Sequence, residues 1–394
     1  MRSRICILLS FILLITIPAN ALRFHIHNPN PIAVVDAPVI LPVSIVKGMN
    51  LSEHGIQIKV NGKSTPVQID DLNRDGNPDE IVFLVNLEAG EKARVQLKTL
   101  KHPAPEPELE VFTSLILKDE NGKWLHKDEV SSDKNNMYNR LHHHGVAFES
   151  DKMAYRIYFD NKSTIDLYGK KTYRLELKDT YWYPTDAQLK EGYGDDILLV
   201  SGWVGIGTLK GWDGNTMKHI DKFSKRTHRI LARGPLRAVV ESEVEGWDYE
   251  GQLSTVTVRY LLYARHRDVV AEVRSNNNLN AVATGVQQIG GGELMNSANL
   301  VGAWGSWYPQ PDTVKYAKET VGLGLYIPET IQKKQVQNGV NNLFVFPVQK
   351  DKIFRYYFTV IATKEKNQPI REASQFFNYL NQWKKGLEPI RLKL

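Results

Sequence analysis

Three consecutive histidines, His142, His143 and His144, are the residues whose type and spacing most directly suggest chemistry. Imidazole titrates near neutral pH, so each ring can serve as a general base or a general acid. In an extended strand, His142 and His144 would point to one side and His143 to the other. Such a pair could also bind a transition metal with a third ligand from elsewhere. The alternative is a polar loop whose rings bond the backbone.

Residues 155–196 combine many aromatic and charged side chains. Aromatic rings pack on the apolar faces of sugars, while Asp, Arg and Lys bond the hydroxyl edges. The pattern therefore indicates a carbohydrate site, although alternate residues of any strand must also be buried in a core. The expected substrate-binding residues are Arg156, Lys170, Trp182, Asp186, Asp195, Asp196 and, from a later glycine-rich run, Trp212.

An acidic stretch beginning at Asp71 resembles the first half of a calcium loop, because oxygen-bearing side chains alternate and a glycine follows. The expected ligands of a structural Ca²⁺ are Asp71, Asn73, Asp75 and Asp79. Val82 stands where such loops carry a bidentate Glu, so Asp79 or Glu80 would have to substitute. The alternative is an acidic turn between two strands.

The elements that must position these residues are β-strands. Polar and apolar residues alternate along residues 94–97, 173–177 and 255–260, which predicts half-buried strands. Asn61-Gly62, Asn121-Gly122, Asp213-Gly214 and Asn338-Gly339 are typical of tight hairpins, which predicts antiparallel sheets. Helix is expected only at residues 185–191, after a capping box, and at residues 371–385, before Gly386.

The first residues predict export. Arg2 and Arg4 precede an apolar run over residues 5–17, and small residues at Ala19 and Ala21 suit a cleavage site, so residues 1–21 read as a signal peptide. Cys6 is the only cysteine and lies in this segment, so disulfides and thiolate sites are excluded from the mature chain. We expect a periplasmic or secreted protein that is not inserted in the membrane after cleavage.

The charge distribution excludes nucleic acid as an expected partner. Removing Arg2 and Arg4 lowers the formal net charge from +6 to +4, and Lys and Arg are interleaved with Asp and Glu. This pattern contains no basic stripe for nucleic acid.

Three prolines within residues 101–107 predict a linker. We therefore expect an all-β protein with a small immunoglobulin-like sandwich at residues 22–100 and a large antiparallel domain at residues 108–394.

Several motifs resemble those of a bacterial family of unknown function, DUF4861, of Bacteroidetes type. They are Asn-Arg-Leu-His-His-His-Gly at 139–145, Gly-Tyr-Gly-Asp-Asp at 192–196 and Val-Gly-Ile-Gly-Thr-Leu-Lys-Gly-Trp-Asp-Gly at 204–214. The resemblance implies a galactose-mutarotase-like supersandwich and an association with the degradation of uronate-containing polysaccharides. The resemblance identifies no catalytic residues, so the candidate site is argued from the side-chain types of this sequence.

Our hypothesis is an enzyme acting on uronic-acid-containing oligosaccharides of pectin or arabinogalactan type, by β-elimination or hydrolysis. In elimination, His142 or His144 would be the base, Tyr168 or Tyr183 the acid, and Arg156 and Lys170 the cations that neutralise the uronate. Hydrolysis would need two carboxylates flanking the bond, and the candidates are Glu149, Asp186, Asp195 and Asp196.

The alternatives are a non-catalytic sugar-binding protein and a sugar epimerase or mutarotase. Each hypothesis requires that the histidine run and the tyrosine–tryptophan cluster at residues 181–183 line the same cleft.

Overall fold

A computed structural model describes residues 21–46, 55–100, 102, 105, 107–181 and 183–393. Most of their regular secondary structure is antiparallel β-strand, so the all-β fold expected from the alternating pattern is confirmed. The predicted signal peptide lies outside the described residues except for Ala21, and so does most of the predicted linker. Among the described residues, no helix is both long and apolar enough to cross a membrane.

The N-terminal part of the chain forms two small sheets. Their strands are β1 (Ala21–His27), β2 (Val34–Pro42), β3 (Ile56–Val60), β4 (Lys63–Thr65), β5 (Gln68–Asp70), β6 (Glu80–Leu87) and β7 (Lys92–Thr99). One sheet has the order β1-β7-β3-β4 and the other the order β2-β6-β5. Their inner faces share one core, with Phe24, Ile58 and Val95 opposite Leu41 and Phe83. We call these two sheets the N-terminal sandwich.

Most of the remaining strands build three larger sheets, while one pair forms a separate two-stranded sheet and the last strand joins the first sheet of the N-terminal sandwich. The first group is β8 (Val111–Ser114), β9 (Ile116–Lys118), β10 (Trp124–His126), β11 (Glu129–Ser132), β12 (Gly145–Ser150), β13 (Met153–Tyr158), β14 (Ile165–Gly169), β15 (Asp195–Asp196), β16 (Lys210–Trp212) and β17 (Met217–Lys218). The second group is β18 (Lys225–Arg233), β19 (Arg237–Tyr249), β20 (Gln252–Tyr263), β21 (Val269–Ser275), β22 (Leu279–Gln287), β23 (Glu293–Asn296), β24 (Leu300–Trp307), β25 (Glu319–Tyr326), β26 (Lys334–Asn338), β27 (Asn341–Val348), β28 (Phe354–Ala362) and β29 (Arg391–Lys393).

The largest sheet has nine strands in the order β11-β18-β19-β20-β21-β28-β25-β24-β23. Two five-stranded sheets complete the large part: β15-β14-β13-β12-β8, which we call the site sheet, and β17-β16-β22-β27-β26. All three sheets contribute to one core, in which Phe148 and Tyr155 of the site sheet contact Tyr260 and Phe358 of the nine-stranded sheet. The large part is therefore a layered antiparallel sandwich.

Both predicted helices are present, as α1 (Asp186–Lys190) and α2 (Ala373–Trp383). Thr185 and Gln188 form the expected capping box on α1. The α2 helix packs its apolar side against β24 and β25 through Phe376 and Leu380. After α2, the chain returns to the N-terminal sandwich, where β29 pairs with β1.

The predicted strand at residues 173–177 is wrong. These residues form bends and a turn, because the backbone N–H groups of Glu176 and Leu177 donate to the buried carboxylate of Glu149 instead of to a neighbouring strand. They belong to an excursion, residues 170–194, that leaves the site sheet after β14 and returns at β15.

Candidate functional site

The outer face of the site sheet carries a group of charged side chains. Arg156 on β13 lies directly opposite Asp166 on β14, and Asp196 on β15 lies opposite Tyr168, two residues after Asp166. Because opposite residues and alternate residues share a face of a sheet, Arg156, Asp166 and Asp196 project to the same side. Tyr155 and its alternate neighbours project to the other side, into the core.

Arg156 holds the two carboxyl groups together. Its Nη2 donates to Asp166 Oδ2 and to Asp196 Oδ1, and the three side chains are only 1 to 3% exposed. Burial raises the pKa of Asp196 well above its usual value; Arg156 opposes this shift, while Asp166 and Asp195 add to it. Two carboxyl groups this close do not both ionise readily. Asp196 therefore takes up a proton more readily than an ordinary aspartate does.

Asp166 and Asp196 form part of the wall of a cavity of about 410 Å³. Tyr138, Tyr158 and Tyr183 line it as well, together with Asp160 and Lys162. A loop containing Gln310 contributes an amide that donates to Asp196 Oδ2. The volume falls in the range of small-molecule sites, and the mixture of rings and polar groups suits a sugar.

The three tyrosines of this cavity remain protonated at neutral pH. Burial raises the pKa of Tyr138, of Tyr158 and of Tyr183, and the neighbouring aspartates add to the shift. The Tyr183 ring also lies over Arg156, with 5.8 Å from the guanidinium carbon to the ring centroid. The hydroxyl groups can therefore donate hydrogen bonds or a proton to a bound molecule.

His144 lies behind this tyrosine group. Its ring stacks on Tyr138, with centroids 3.5 Å apart and planes within 8°, and lies 5.9 Å from Tyr158 and 6.5 Å from Tyr183. Burial lowers the pKa of His144 to about 4, so the ring is neutral at pH 7. Nδ1 lies 3.0 Å from the carbonyl oxygen of Tyr138, which can only accept, so Nδ1 carries the hydrogen and Nε2 the lone pair.

The other two histidines of the run have different surroundings. The run is a single 3-10 turn, and both His143 and His144 have positive φ angles, of 57° and 61°. His142 packs against Trp124 and Tyr181, while His143 is fully buried and bonds the carbonyl of Leu177. The expected extended geometry, with two rings on one side, is therefore wrong, because the left-handed backbone turns each ring into different surroundings.

Glu149 and Lys170 form a buried pair outside the cavity. The Nζ of Lys170 donates to Glu149 and to the carbonyl oxygens of Ser150 and Arg174, and both side chains are inaccessible. Burial raises the pKa of Glu149, while Lys170 opposes the shift. With every polar atom engaged inside the protein, neither residue can contact a substrate in this structure. They fix the excursion, residues 170–194, onto the outer face of the site sheet.

The remaining predicted residues lie in several places. The hydroxyl group of Tyr168 is buried and donates to the carbonyl of Gly194, and Asp195 accepts the backbone N–H of Asp196. Asp186 is exposed at the start of α1, and Trp212 lies on the other five-stranded sheet. Trp182 lies outside the described residues. The structure thus brings together four of the predicted residues: Arg156, His144, Tyr183 and Asp196.

Sequence reasoning missed several cavity residues, among them Tyr138, Asp160, Lys162, Asp166 and Gln310. One signal was available: Asp166 sits between apolar residues in β14, all five of whose residues are buried. A carboxylate in such a strand needs a buried cationic partner, and Arg156, ten residues earlier, is that partner.

The carboxylates of the acidic loop accept hydrogen bonds from the backbone of the loop itself. Asp79 accepts the N–H groups of Leu72 and Asn73, and Asp71 accepts those of Asp75 and Gly76. Within the part of the chain that the structure describes, no group of three or more His, Cys, Asp or Glu side chains is arranged to hold a metal ion. The geometry of the loop is that of a hydrogen-bonded acidic turn.

Two solved structures from Enterococcus faecalis are similar to this chain. An α-mannosidase matches with a TM-score of 0.45, 10% identity, and coverage of 96% of this chain and 46% of its own length. A protein in glycosyl hydrolase family 38 matches with a TM-score of 0.42, 10% identity, and coverage of 96% and 48%. The chain thus spans about half the length of these proteins.

None of the curated proteins is significantly similar in sequence to this chain. The model of one family, described as a domain of unknown function (DUF4861), matches residues 26–392. This match covers nearly the whole chain, including the site sheet, the histidine turn and the loop that carries Gln310. The chain therefore belongs to the DUF4861 family.

Proposed function

We propose that the protein is an exported carbohydrate-active enzyme that cleaves uronic-acid-containing oligosaccharides by β-elimination. The observation that carries the proposal is the arrangement of Arg156, Asp166 and Asp196 on one wall, with Tyr183 and His144 close by. This arrangement places a carboxyl group with a raised pKa, a compensated cation and a base around one tyrosine-lined cavity. The signal peptide predicted at residues 1–21 supports action outside the cytoplasm.

The positions of the carboxyl groups favour elimination over hydrolysis. Glycosidases need two carboxyl groups that flank the scissile bond. Asp166 and Asp196 project from the same face of the site sheet and bond the same nitrogen atom, so they stand side by side. A sugar cannot lie between them without breaking both bonds to Arg156.

Each step of an elimination has a candidate group here. The Nε2 of His144 accepts the proton from the carbon next to the uronate carboxylate, a C=C bond forms, and the C–O bond to the leaving sugar breaks. Tyr183 donates its hydroxyl proton to the leaving oxygen. Arg156 pairs with both aspartates, and the raised pKa of Asp196 reduces the negative charge of this wall, so the wall repels the carboxylate of the substrate less.

Substitution of the base and of the acid tests this assignment. His144→Asn removes the base while retaining a residue type that tolerates positive φ, and we expect turnover to fall about a hundredfold or more. Tyr183→Phe removes only the donated proton and should cause a similar loss. Formation of the unsaturated uronate, followed by its ultraviolet absorbance on pectic and arabinogalactan oligosaccharides, is the measurement.

Matched controls come from the same two segments. His142→Asn and Tyr181→Phe change neighbouring rings that do not line the cavity, and both variants should retain turnover. Product masses discriminate between the reactions: fragments that together gain one water would show hydrolysis, and an unchanged mass with altered stereochemistry would show epimerisation. Either result would overturn the proposed elimination, as would binding of sugar without any product.

A further inference from the structure

Two fully buried cations lie behind one wall of the cavity. Lys210 on β16 and Arg226 on β18 both have 0% exposure. Lys210 Nζ donates to the carbonyl oxygen of Lys162 at 2.5 Å and contacts Thr164 Oγ1 and His219 Nδ1. Arg226 donates to the carbonyl oxygens of Asp160 and Ile220. Every one of these acceptors is electrically neutral.

Neither cation forms an ion pair within the described residues, although carboxylates partner most other buried cations of this protein. Buried charges normally have a partner, because leaving one uncompensated costs several kcal/mol. The carboxylate of Asp160 acts on both Lys210 and Arg226 through space only, and that of the more exposed Asp221 acts on Arg226. Neither buried side chain therefore has a carboxylate in direct contact among the described residues.

The backbone segment that these cations hold is the cavity wall itself. The side chains of Asp160 and Lys162 line the cavity, while their carbonyl oxygens face Arg226 and Lys210 behind it. The Asp160 carboxylate accepts the backbone N–H groups of Lys162 and Ser163, which fixes the turn. The positive field of the two buried side chains thus acts across a wall that is one residue thick, where solvent screens it little.

Lys162 is the cation most accessible to a ligand. It is the only Lys or Arg among the described residues that line this cavity. Arg156 already binds two aspartates, and Lys170 is buried against Glu149. Neither of the two cations proposed from the sequence to neutralise a uronate is therefore placed as well as Lys162.

We infer that the wall formed by residues 160–164 recognises the carboxylate of an acidic sugar, with Lys162 meeting it directly and Lys210 and Arg226 supporting it from behind. The inference rests on the proposed function in that it names the charged group of the same substrate. It makes the cavity selective for uronides over neutral sugars of the same shape.

Calorimetric binding to a uronate oligosaccharide and to its carboxyl-reduced, neutral counterpart tests the inference without requiring turnover. The wild-type protein should bind the acid more tightly, and Lys162→Gln should lose about tenfold of that preference. Lys178→Gln, a change at an exposed lysine of the covering excursion, is the matched control and should retain the preference.

Proton uptake gives a second readout, specific to Lys210. Burial lowers the pKa of Lys210 to about 7; Asp160 opposes this shift, while Arg226 and Lys162 add to it. A bound carboxylate favours the charged amine, so binding near pH 7 to 8 should take up part of a proton. Calorimetry in buffers of different ionisation enthalpy measures this uptake, and Lys210→Met should abolish it.

Equal affinity for the acidic and the neutral sugar, or an unchanged preference in Lys162→Gln, would overturn the inference, as would failure to bind either sugar. Selective binding of the acid without any unsaturated product would leave the recognition standing and eliminate the lyase assignment. The two proposals can therefore fail separately.

Discussion

His228 is a buried imidazole whose protonation the fold opposes. Its side chain has 0% exposure, and its Nδ1 accepts the backbone N–H of Val146. Burial, with a smaller contribution from Arg226, lowers the pKa of His228 to about 3. The ring is therefore neutral in the folded protein, and it takes up a proton more readily when the chain unfolds.

This difference predicts a specific pH dependence of stability. The folded pKa lies below the unfolded value, so the contribution of His228 is complete above about pH 6.5 and is lost as the pH falls towards about 3. Replacing His228 by Asn, whose oxygen can accept the same N–H, should remove about 2 kcal/mol of the fall in unfolding free energy between about pH 7 and about pH 4.5.

Urea denaturation at both pH values measures the effect. The exposed His126 provides the control, since His126→Asn should leave the pH dependence unchanged. An identical slope in the wild-type protein and in His228→Asn would contradict the assignment.

At the residue scale, the sequence predicted which types of side chain form the site better than where they point. Arg156, Tyr183 and Asp196 were identified because aromatic, basic and acidic residues crowd one segment, and His144 because three histidines are consecutive. The separation of His142 from His144 was not predictable, because positive φ at two histidines follows from tertiary contacts and not from composition. Likewise, nothing in the sequence showed that Lys170 is satisfied by Glu149.

At the scale of elements, the packing of α2 against the sheet depends on two glycines. Gly302 and Gly324 lie on the neighbouring strands β24 and β25, and a Cβ at either position would come within 2.7 Å and 2.2 Å, respectively, of Leu380. Leu380 itself is fully buried. The absence of side chains on the sheet therefore creates the space that this one residue of the helix fills.

A double-mutant cycle tests this fit. Leu380→Ala should lower the free energy of unfolding by about 3 kcal/mol, and Gly324→Ala by about 1 to 3 kcal/mol through overpacking. In the double variant the new methyl group occupies part of the vacated space, so the combined loss should be smaller than the sum of the two. Additive losses in urea denaturation would contradict this fit between Leu380 and the glycines. Gln382→Ala, at an exposed position of the same helix, is the control and should have little effect.

Hairpins were the elements that the sequence predicted best. All four dipeptides chosen for positive φ connect neighbouring antiparallel strands, as Asn61-Gly62 connects β3 with β4 and Asn338-Gly339 connects β26 with β27. Local backbone chemistry determines such turns, so a single sequence reveals them. The alternation at residues 173–177 led to a wrong strand prediction. The buried carboxylate of Glu149, distant in sequence, accepts backbone N–H groups that a strand would donate to its neighbour.

At the scale of the whole molecule, the last described strand belongs to the first sheet. Residues of β29 pair with His25, Ile26 and His27 of β1, and Leu392 packs against the core of the N-terminal sandwich. Asn30 donates to the carbonyl of Glu388 and accepts its N–H, which secures the approach to this strand. This pairing joins segments too far apart for a pattern of local periodicity to predict.

Deletion of residues 390–394 tests how much the pairing of β29 with β1 stabilises the N-terminal sandwich. We expect the N-terminal sandwich to become less stable than the large part, because β1 becomes an unpaired edge and Leu392 no longer covers the core. Hydrogen exchange followed by mass spectrometry should show faster exchange in β1 and β7 and unchanged exchange in β19 and β20. Replacing exposed Lys393 by Ala, with the backbone intact, is the control.

The pairing of β29 with β1 also constrains the order in which the protein can be made. Every strand of the three larger sheets leaves the ribosome before β29, the second partner of β1, exists. During that interval the first sheet presents β1 as a bare edge to any other extended segment. This sheet therefore completes its pairing last, and assistance that shields nascent β-edges will matter most for β1.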